Sequence, residues 1–507
     1  MKDVLLAVLV VLDFLVVAYF FTYMAVNIVL LFISNRVVPR ELYRTTQAKK
    51  TRKPDPEKTF YPLVSLIVPA YCEEVTIVEN IRSLIRLDYP RFEIIVVNDG
   101  SSDRTVEKSI AAFGMIRSEV DYNPHLGTMP ISGYYRSTVD LPKKVERLVL
   151  LDKANGGKAD AINAGINASQ GAYVASMDAD SLLVDDAVEL AITPIFANPN
   201  DVVACGGAVA MSNGCTVKDG RLVRVGLPKK WIARFQVVEY MRSFTQSRTA
   251  LGQMNSLLIL SGVFAVFQRE ALVEAGGFLT KHMRSKLGTE YCGIGSETVC
   301  EDMEVIVRLH RYLLDKGRKG RAECLPFPLA WTEAPEIWEH LGKQRNRWYR
   351  GLWEVLSIHR GMMLRPRYGR IGMFALPYQF LFEALAPLLE TAGYIVVPLS
   401  FAAGILSLPA MLSFVSFALA FNLLLSAGSV YVSIRRMRLE KSSEETALMN
   451  YRGVKTILLL VFAGLLSNLG YRQYLIYWQL KGLKEFLQGR KSWDKFARQG
   501  FASEDGA

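Results

Sequence analysis

Histidine and cysteine are scarce in this chain of 507 residues: it has five histidines and six cysteines. The cysteines, Cys72, Cys205, Cys215, Cys292, Cys300 and Cys324, form no Cys-x-x-Cys pair, and no histidine completes a zinc spacing. A zinc module and a disulfide-stapled secreted scaffold are therefore excluded, and all six cysteines are expected to be reduced and to pack as small apolar residues. Charge is also missing locally. Residues 4–34, 371–433 and 454–478 contain only Asp13, Glu383, Glu390, Lys455 and Arg472 as charged groups, although 21% of the whole chain is charged. That distribution excludes a purely soluble enzyme. A compact Lys/Arg-rich block is missing too, so the net charge of +11 is assigned to contact with anionic lipid and an anionic substrate, not nucleic acid.

About 20 apolar residues cross a bilayer. Residues 1–35 therefore read as a transmembrane helix. A cleaved signal peptide would have a shorter apolar core and a small-residue cleavage site. Instead Arg36, Arg40, Arg44, Lys49, Lys50, Arg52 and Lys53 follow at once, which places the basic linker 36–60 and the segment after it in the cytoplasm. The expectation is a multi-pass protein of the inner membrane with its polar domain inside. Residues 371–433 hold two long spans or three short ones. Residues 454–478 hold one more span, or a helix partly at the interface because of Asn468 and Arg472. The linker 434–453, with Arg435, Arg436 and Arg438, and the basic tail 479–507 both favour the cytoplasm, which a single crossing by 454–478 does not allow. Glu383 and Glu390 lie within the apolar run, where carboxylates either line a path or sit at the interface.

Between the apolar stretches the pattern is strand alternating with helix. VSLIVPAY, EIIVVND (93–99), VERLVLLD (145–152) and AYVASMDAD (172–180) are apolar runs, and helical periodicity follows each of the first three. This predicts an α/β domain with a doubly wound, mostly parallel sheet whose ligands bind at the carboxyl ends of the strands. The polar residues cluster there: Tyr71, Glu73, Asp99, Lys153 to Lys158, Asp178 and Asp180. Residues 115–143 form a long aromatic-containing insertion.

Asp178 and Asp180, two residues apart at a strand end, suit Mg²⁺ or Mn²⁺, which take oxygen ligands and bridge to phosphate; a solvated turn is the alternative. Asn155-Gly156-Gly157-Lys158 precedes a helix, where backbone amides and the helix end favour an anion; an ordinary turn with a surface lysine has the same form. Glu301 and Asp302 open a helix, as dipole-complementing residues or as a general base. In 336–360, Trp338, Leu341, Arg345, Trp348, Leu352 and Val355 share one helical face, the pattern of a helix at the membrane interface. Arg345 puts a charge on that face and needs a partner, for which a diphosphate would serve.

Taken together these residues resemble the membrane-integrated family 2 glycosyltransferases, the group containing cellulose, chitin, hyaluronan and poly-N-acetylglucosamine synthases. The likeness rests on PAYCEE (69–74), VVNDGSSD (96–103), NGGKADAIN (155–163), MDAD (177–180), SGVF (261–264), CED (300–302) and QRNRW (344–348), in that order. It implies a GT-A type catalytic domain over 61–330 and amphipathic interface helices over 331–370. It implies that Tyr71, Glu73 and Asp99 hold the nucleotide's base and ribose, that Lys158 and Arg347 contact the diphosphate, and that Asp178 binds nucleotide or sugar. Asp180 would hold the Mg²⁺ or Mn²⁺ ion, and Asp302, with Glu301 beside it, would be the catalytic base. Ser261, Gly262, Gln344 and Trp348 would lie at the acceptor. Trp493, Lys495 and Arg498 loosely match a gating segment. Two departures are Cys72, where the family has Asn, and Cys300, where it has Thr. The implied activity is inverting transfer from a UDP-sugar, UDP-GlcNAc or UDP-glucose first, onto a growing β-linked glycan, coupled to export, with accessory export subunits left open. Transfer of one sugar to a polyprenyl phosphate or another lipid is the alternative.

Overall fold

The computed structural model describes residues 2–51, 61–439 except 120, 219, 284 and 294, and 453–490. Trp493, Lys495 and Arg498 lie outside the described residues. The strands are β1 (Val64–Ala70), β2 (Phe92–Asp99), β3 (Met115–Arg117), β4 (Ile131–Ser137), β5 (Val145–Lys153), β6 (Tyr173–Met177), β7 (Leu182–Leu183), β8 (Val202–Met211), β9 (Thr216–Lys218), β10 (Arg221–Arg224), β11 (Phe264–Gln268) and β12 (Arg321–Thr332). Ten of them form one sheet in the order β3-β4-β5-β2-β1-β6-β11-β8-β12-β7, and β9 and β10 form a separate hairpin.

The doubly wound, mostly parallel sheet is present. β5, β2, β1 and β6 run parallel, as do β8 and β12. β11 enters antiparallel between β6 and β8. The parallel strands are apolar on both faces because helices cover both. Ile67, Ile95, Val97, Val149 and Leu151 pack on one side, with the helix Lys158–Ala168. Leu66, Ile94, Val96, Leu148 and Leu150 pack on the other, with the helix Ile77–Ile85. This is the period-two alternation of a strand. The helix Lys158–Ala168 lies so close to β1 that a Cβ on Gly165 would sit 2.3 Å from Ile67. Strand order reverses between β1 and β6, and the crevice at such a switch point is where ligands bind in these sheets. The 115–143 insertion supplies β3 and β4, which extend the sheet: β4 pairs antiparallel with β5, and β3 antiparallel with β4.

Among the described residues, two helices are long and apolar enough to cross a membrane, Leu6–Arg44 and Leu408–Arg435. Phe20 packs against Phe414, Phe417 and Phe421 between them. Asn27, Gln246 and Ser429 form a buried polar link beside this contact. Two further apolar segments are bent pairs, Ile371–Ala384 with Ala386–Ala402 (43°) and Val454–Leu466 with Tyr471–Leu487 (52°). The 454–478 stretch is thus interrupted, at Ser467 to Gly470, where Gly470 takes φ +88°. The helix expected around QRNRW spans Trp338–Ile358.

Candidate active site

Four of the seven motifs meet on one ammonium group. Gly157, with φ +90°, starts the helix that carries Lys158. Lys158 Nζ lies 2.6 Å from Asp178 Oδ1, 3.1 Å from Glu301 Oε1 and 3.4 Å from the Gly262 carbonyl oxygen. β11 begins opposite the end of β6, with Phe264 paired to Met177, and the Asp178 N–H donates to the Val263 carbonyl at 3.2 Å. The SGVF and MDAD motifs are therefore adjacent by strand register. The Gly262 N–H donates to Asp302 Oδ2 at 3.2 Å. A side chain at Gly262 would intrude here, since a Cβ would stand 2.9 Å from Lys158 Nζ. Lys158, Ser176, Ser261, Gly262, Glu301 and Asp302 line one cavity.

Electrostatics follow from this crowding. Burial raises the Asp302 pKa, and Glu301 beside it adds to the rise. Lys158, Arg248 and the Cys300 thiol act in the opposite direction without cancelling it. Burial by itself would lower Lys158, but Asp178 and Glu301 outweigh it and hold the ammonium charged. Asp302 Oδ1 accepts from the Met303 N–H at 2.9 Å and from the Cys300 thiol at 3.4 Å.

The nucleotide-side motifs are tied to one another. The Cys72 N–H donates to Ser101 Oγ at 2.9 Å, and the Glu73 N–H to Thr105 Oγ1 at 2.9 Å. Glu73 Oε2 accepts from the Thr76 hydroxyl at 2.8 Å. Tyr71 is exposed at the rim. Asp99 is buried and engaged internally. Its oxygens accept from Lys153 Nζ (2.6 Å), the Gly156 N–H (2.9 Å) and the Gly157 N–H (2.8 Å), so its carboxylate shapes the glycine turn ahead of Lys158. Asp180 is buried next to Ser181, whose hydroxyl donates to it at 3.3 Å. As two carboxylates at a strand end, Asp178 and Asp180 offer the hard oxygen donors that Mg²⁺ or Mn²⁺ take.

Gln344, Arg347 and Trp348 all lie on the helix Trp338–Ile358. Gln344 Oε1 is buried with no hydrogen-bond partner among the described residues. Burial, with Asp302 and Glu301, raises the Cys300 thiol above its ordinary pKa, and the Arg347 guanidinium acts against that rise. Arg345, for which a diphosphate was the expected partner, is instead paired within the protein. It forms a two-pronged ion pair with Glu239 and stacks its guanidinium 4.5 Å above the Trp348 ring.

Sequence reading missed Glu239 and Arg248. Arg248 sits at the end of a π-helical turn, Met241–Arg248, with Nη1 buried and unpartnered among the described residues. No motif marks either residue; π-turns at functional sites are the only general signal. Among the cysteines, Cys205 and Cys324 are buried as expected, while Cys300 and Cys292 donate hydrogen bonds to carboxylates. Cys292, Glu304 and His359 bring potential metal-ligand atoms within 4.8 Å of one another. Both Glu304 oxygens are already taken by Arg308 at 2.8 Å, so a cation there would face a guanidinium.

Residues 65–114 match the family described as glycosyl transferase family 2, and residues 137–351 the one described as glycosyltransferase-like family 2. The chain is 28% identical over 338 residues to a poly-beta-1,6-N-acetyl-D-glucosamine synthase of Staphylococcus epidermidis, covering 66% of this chain and 63% of that one. It is 27% identical over 314 residues to a beta-monoglucosyldiacylglycerol synthase of Trichormus variabilis, covering 61% and 53%. The chain thus spans less than two thirds of the length of these relatives. Among solved structures, a mannosyltransferase from Pyrobaculum calidifontis in complex with GDP-Man and Mn²⁺ aligns at TM-score 0.46 and 20% identity, over 89% of this chain and 99% of that one.

Proposed function

We propose, for a chain that belongs to the family 2 glycosyltransferases, that it extends a β-linked polysaccharide from a UDP-sugar at the cytoplasmic face of the membrane and passes the product outward. One observation carries the reading: Lys158 holds Asp178 and Glu301 at ion-pair distance, and Asp302 lines the same cavity, at the carboxyl ends of the parallel strands.

In this reading an acceptor hydroxyl attacks the anomeric carbon. Its proton passes to Asp302, whose raised pKa brings it nearer the working range of a general base. The bond to the nucleoside diphosphate breaks with inversion. Lys158 exchanges its contacts with Asp178 and Glu301 for the leaving diphosphate, and Arg347 adds a second cation. Asp180, with Asp178 beside it, would hold Mg²⁺ or Mn²⁺, which neutralises developing phosphate charge. Tyr71 and Glu73 face the nucleotide, Asp99 holds the turn under the diphosphate, and Ser261, Gly262, Gln344 and Trp348 meet the acceptor.

A polymeric product is supported by the link between site and membrane. The helix bearing Gln344, Arg347 and Trp348 is bolted to the membrane-proximal helices through Arg345, Glu239 and Tyr471. Glu390 pairs with Arg472 and Glu383 lies nearby, which puts polar groups among the apolar helices where a glycan would need them. UDP-GlcNAc is the favoured donor because of the staphylococcal relatives, with UDP-glucose second. Transfer of a single sugar to a lipid is the alternative, and the cyanobacterial glycolipid synthase favours it. Purified full-length protein supplied with Mn²⁺ and each UDP-sugar tests both readings. Metal-dependent UDP release with a ladder of long products supports the polymer. One-sugar lipid products select the alternative. Failure of every UDP-sugar to release UDP rejects both.

A further inference from the structure

The segment that leads into Asp302 is held from the membrane side. Glu354 lies on the interface helix Trp338–Ile358, and its Oε2 accepts from the Thr298 hydroxyl (2.8 Å) and from the Val299 N–H (3.0 Å). Thr298 Oγ1 accepts in turn from the Cys300 N–H (3.1 Å). The Cys300 thiol donates to Asp302 Oδ1 (3.4 Å). Hydrogen bonds thus run unbroken from Asp302 back to the interface helix. The helix backbone also rests on this segment, since a Cβ on Gly351 would stand 2.5 Å from Cys300 Cβ and 3.2 Å from its nitrogen. Residues 295–300 have no helix or strand of their own, so these contacts fix their path. Around Glu354, Arg350 lies 3.6 Å away and reaches toward Glu485 of the helix Tyr471–Leu487 at 3.8 Å.

We propose that Glu354 is a positioning residue for transfer: by holding Thr298 and Val299 it sets Cys300, and through the Cys300 thiol it fixes the Asp302 carboxylate with Oδ2 toward Gly262 and Lys158. The proposal rests on Asp302 being the base. A base must sit within hydrogen-bond reach of the proton it takes, and a displacement of about 1 Å costs roughly 100-fold in rate. Cys300 is suited to this relay, because its thiol donates to the carboxylate while its backbone N–H engages Thr298.

The test uses the full-length protein in detergent and UDP release from UDP-GlcNAc, or from UDP-glucose if the wild type turns that over instead. Glu354→Ala is expected to lower kcat roughly 10- to 100-fold while KM for the donor stays within about two-fold. Glu354→Gln, whose amide oxygen can accept both hydrogen bonds, should restore most of the rate. Thr298→Val should reproduce the loss, and the double variant should lose no more than either single one, because the two residues act in one chain. A Glu354→Ala kcat close to wild type, a loss confined to KM, or multiplicative losses in the double variant would overturn the proposal. If Glu354→Ala does not fold, Thr298→Val, which removes one hydroxyl, decides alone. Asp302→Asn separates the two levels. If it still transfers, the base assignment fails and this proposal with it. If it is inactive while Glu354→Ala is fully active, only the positioning role fails.

Discussion

Arg345 and Glu239 form a two-pronged ion pair, with N–O distances of 2.6 and 3.0 Å, between the interface helix and the helix Trp231–Tyr240. Arg345 is nearly buried, and Tyr471 donates a third hydrogen bond to Glu239 at 2.8 Å. The pair therefore joins three helices at one point. Removing one partner strands the other charge out of water, at a cost of about 3–5 kcal/mol. Glu239→Ala should lower the melting temperature of the purified protein markedly, and the double variant Glu239→Leu/Arg345→Met should recover much of the loss. A double variant as unstable as Glu239→Ala would mean that the pair itself, not the stranded charge, supplies the stability.

Among the described residues, Lys158 is the only group that touches Asp178, Glu301 and the Gly262 carbonyl together. A positioned cation on a leaving group contributes roughly 10²–10³ in rate. Lys158→Met is expected to reduce UDP release by about that factor. Its fold should survive, because the lysine is partly exposed and the helix Lys158–Ala168 is held by buried apolar residues. Loss of secondary structure by circular dichroism would show a structural role instead.

With Asp302 as the proposed base, its raised pKa should set the acid limb of the pH profile. A base acts only when deprotonated, so kcat should fall, as pH is lowered, at a pH above the ordinary carboxylate range. Glu301 contributes to the rise, so Glu301→Gln should move that limb to lower pH. An unshifted limb in Glu301→Gln would assign the titration to another group. Asp302→Asn should leave donor binding near normal and abolish transfer.

Glu304 carries the opposite shift. Although burial opposes it, Arg308 and His359 hold its pKa down at about 2, from 4.5. A depressed carboxylate stabilises the fold fully above its unfolded pKa, and that contribution is lost as pH falls from about 4.5 toward 2. It is worth on the order of 3 kcal/mol. Glu304→Gln should flatten the acid side of a stability curve between those values and leave the neutral side lower. An unchanged acid slope would place the linkage elsewhere.

The sheet was legible because β1, β2, β5 and β6 are buried on both faces and so appear as continuous apolar runs ending in polar motifs. β4 was not, since ISGYYRS, one strand in from the sheet edge, mixes polar and apolar positions and gains its strand identity from pairing with β5 and β3. Helical spacing put Arg345 on the apolar face correctly. Its partner, Glu239, lies 106 residues earlier, and no spacing rule reaches that far. Arg248 and Glu354 were hidden for the same reason, because their importance lies in contacts made only after folding. Asp99 was assigned by motif to the nucleotide, and the fold adds its bonds to Lys153 and the glycine turn.

The bent pair Val454–Leu466 and Tyr471–Leu487 has the form of a broken span or of a re-entrant element, and only the second lets both flanking basic segments face the cytoplasm. The first helix has 13 residues, about 20 Å at 1.5 Å per residue, which is short of the roughly 30 Å hydrocarbon core. The second lies along the interface helix: a Cβ on Gly342 would sit 2.3 Å from Trp478, a Cβ on Gly482 would sit 2.7 Å from the Asn346 carbonyl, and Phe486 stacks on Trp353. The interface helix is in turn tied to the Asp302 segment through Glu354. The end near Leu487 therefore lies close to the helix that carries Glu354, which predicts that the pair enters the membrane without crossing it. Cysteines introduced as Lys455→Cys and Gln488→Cys should both resist a membrane-impermeant maleimide in intact cells and both react after permeabilisation, over the background of the parent protein. Labelling of one and not the other in intact cells would establish a single crossing instead.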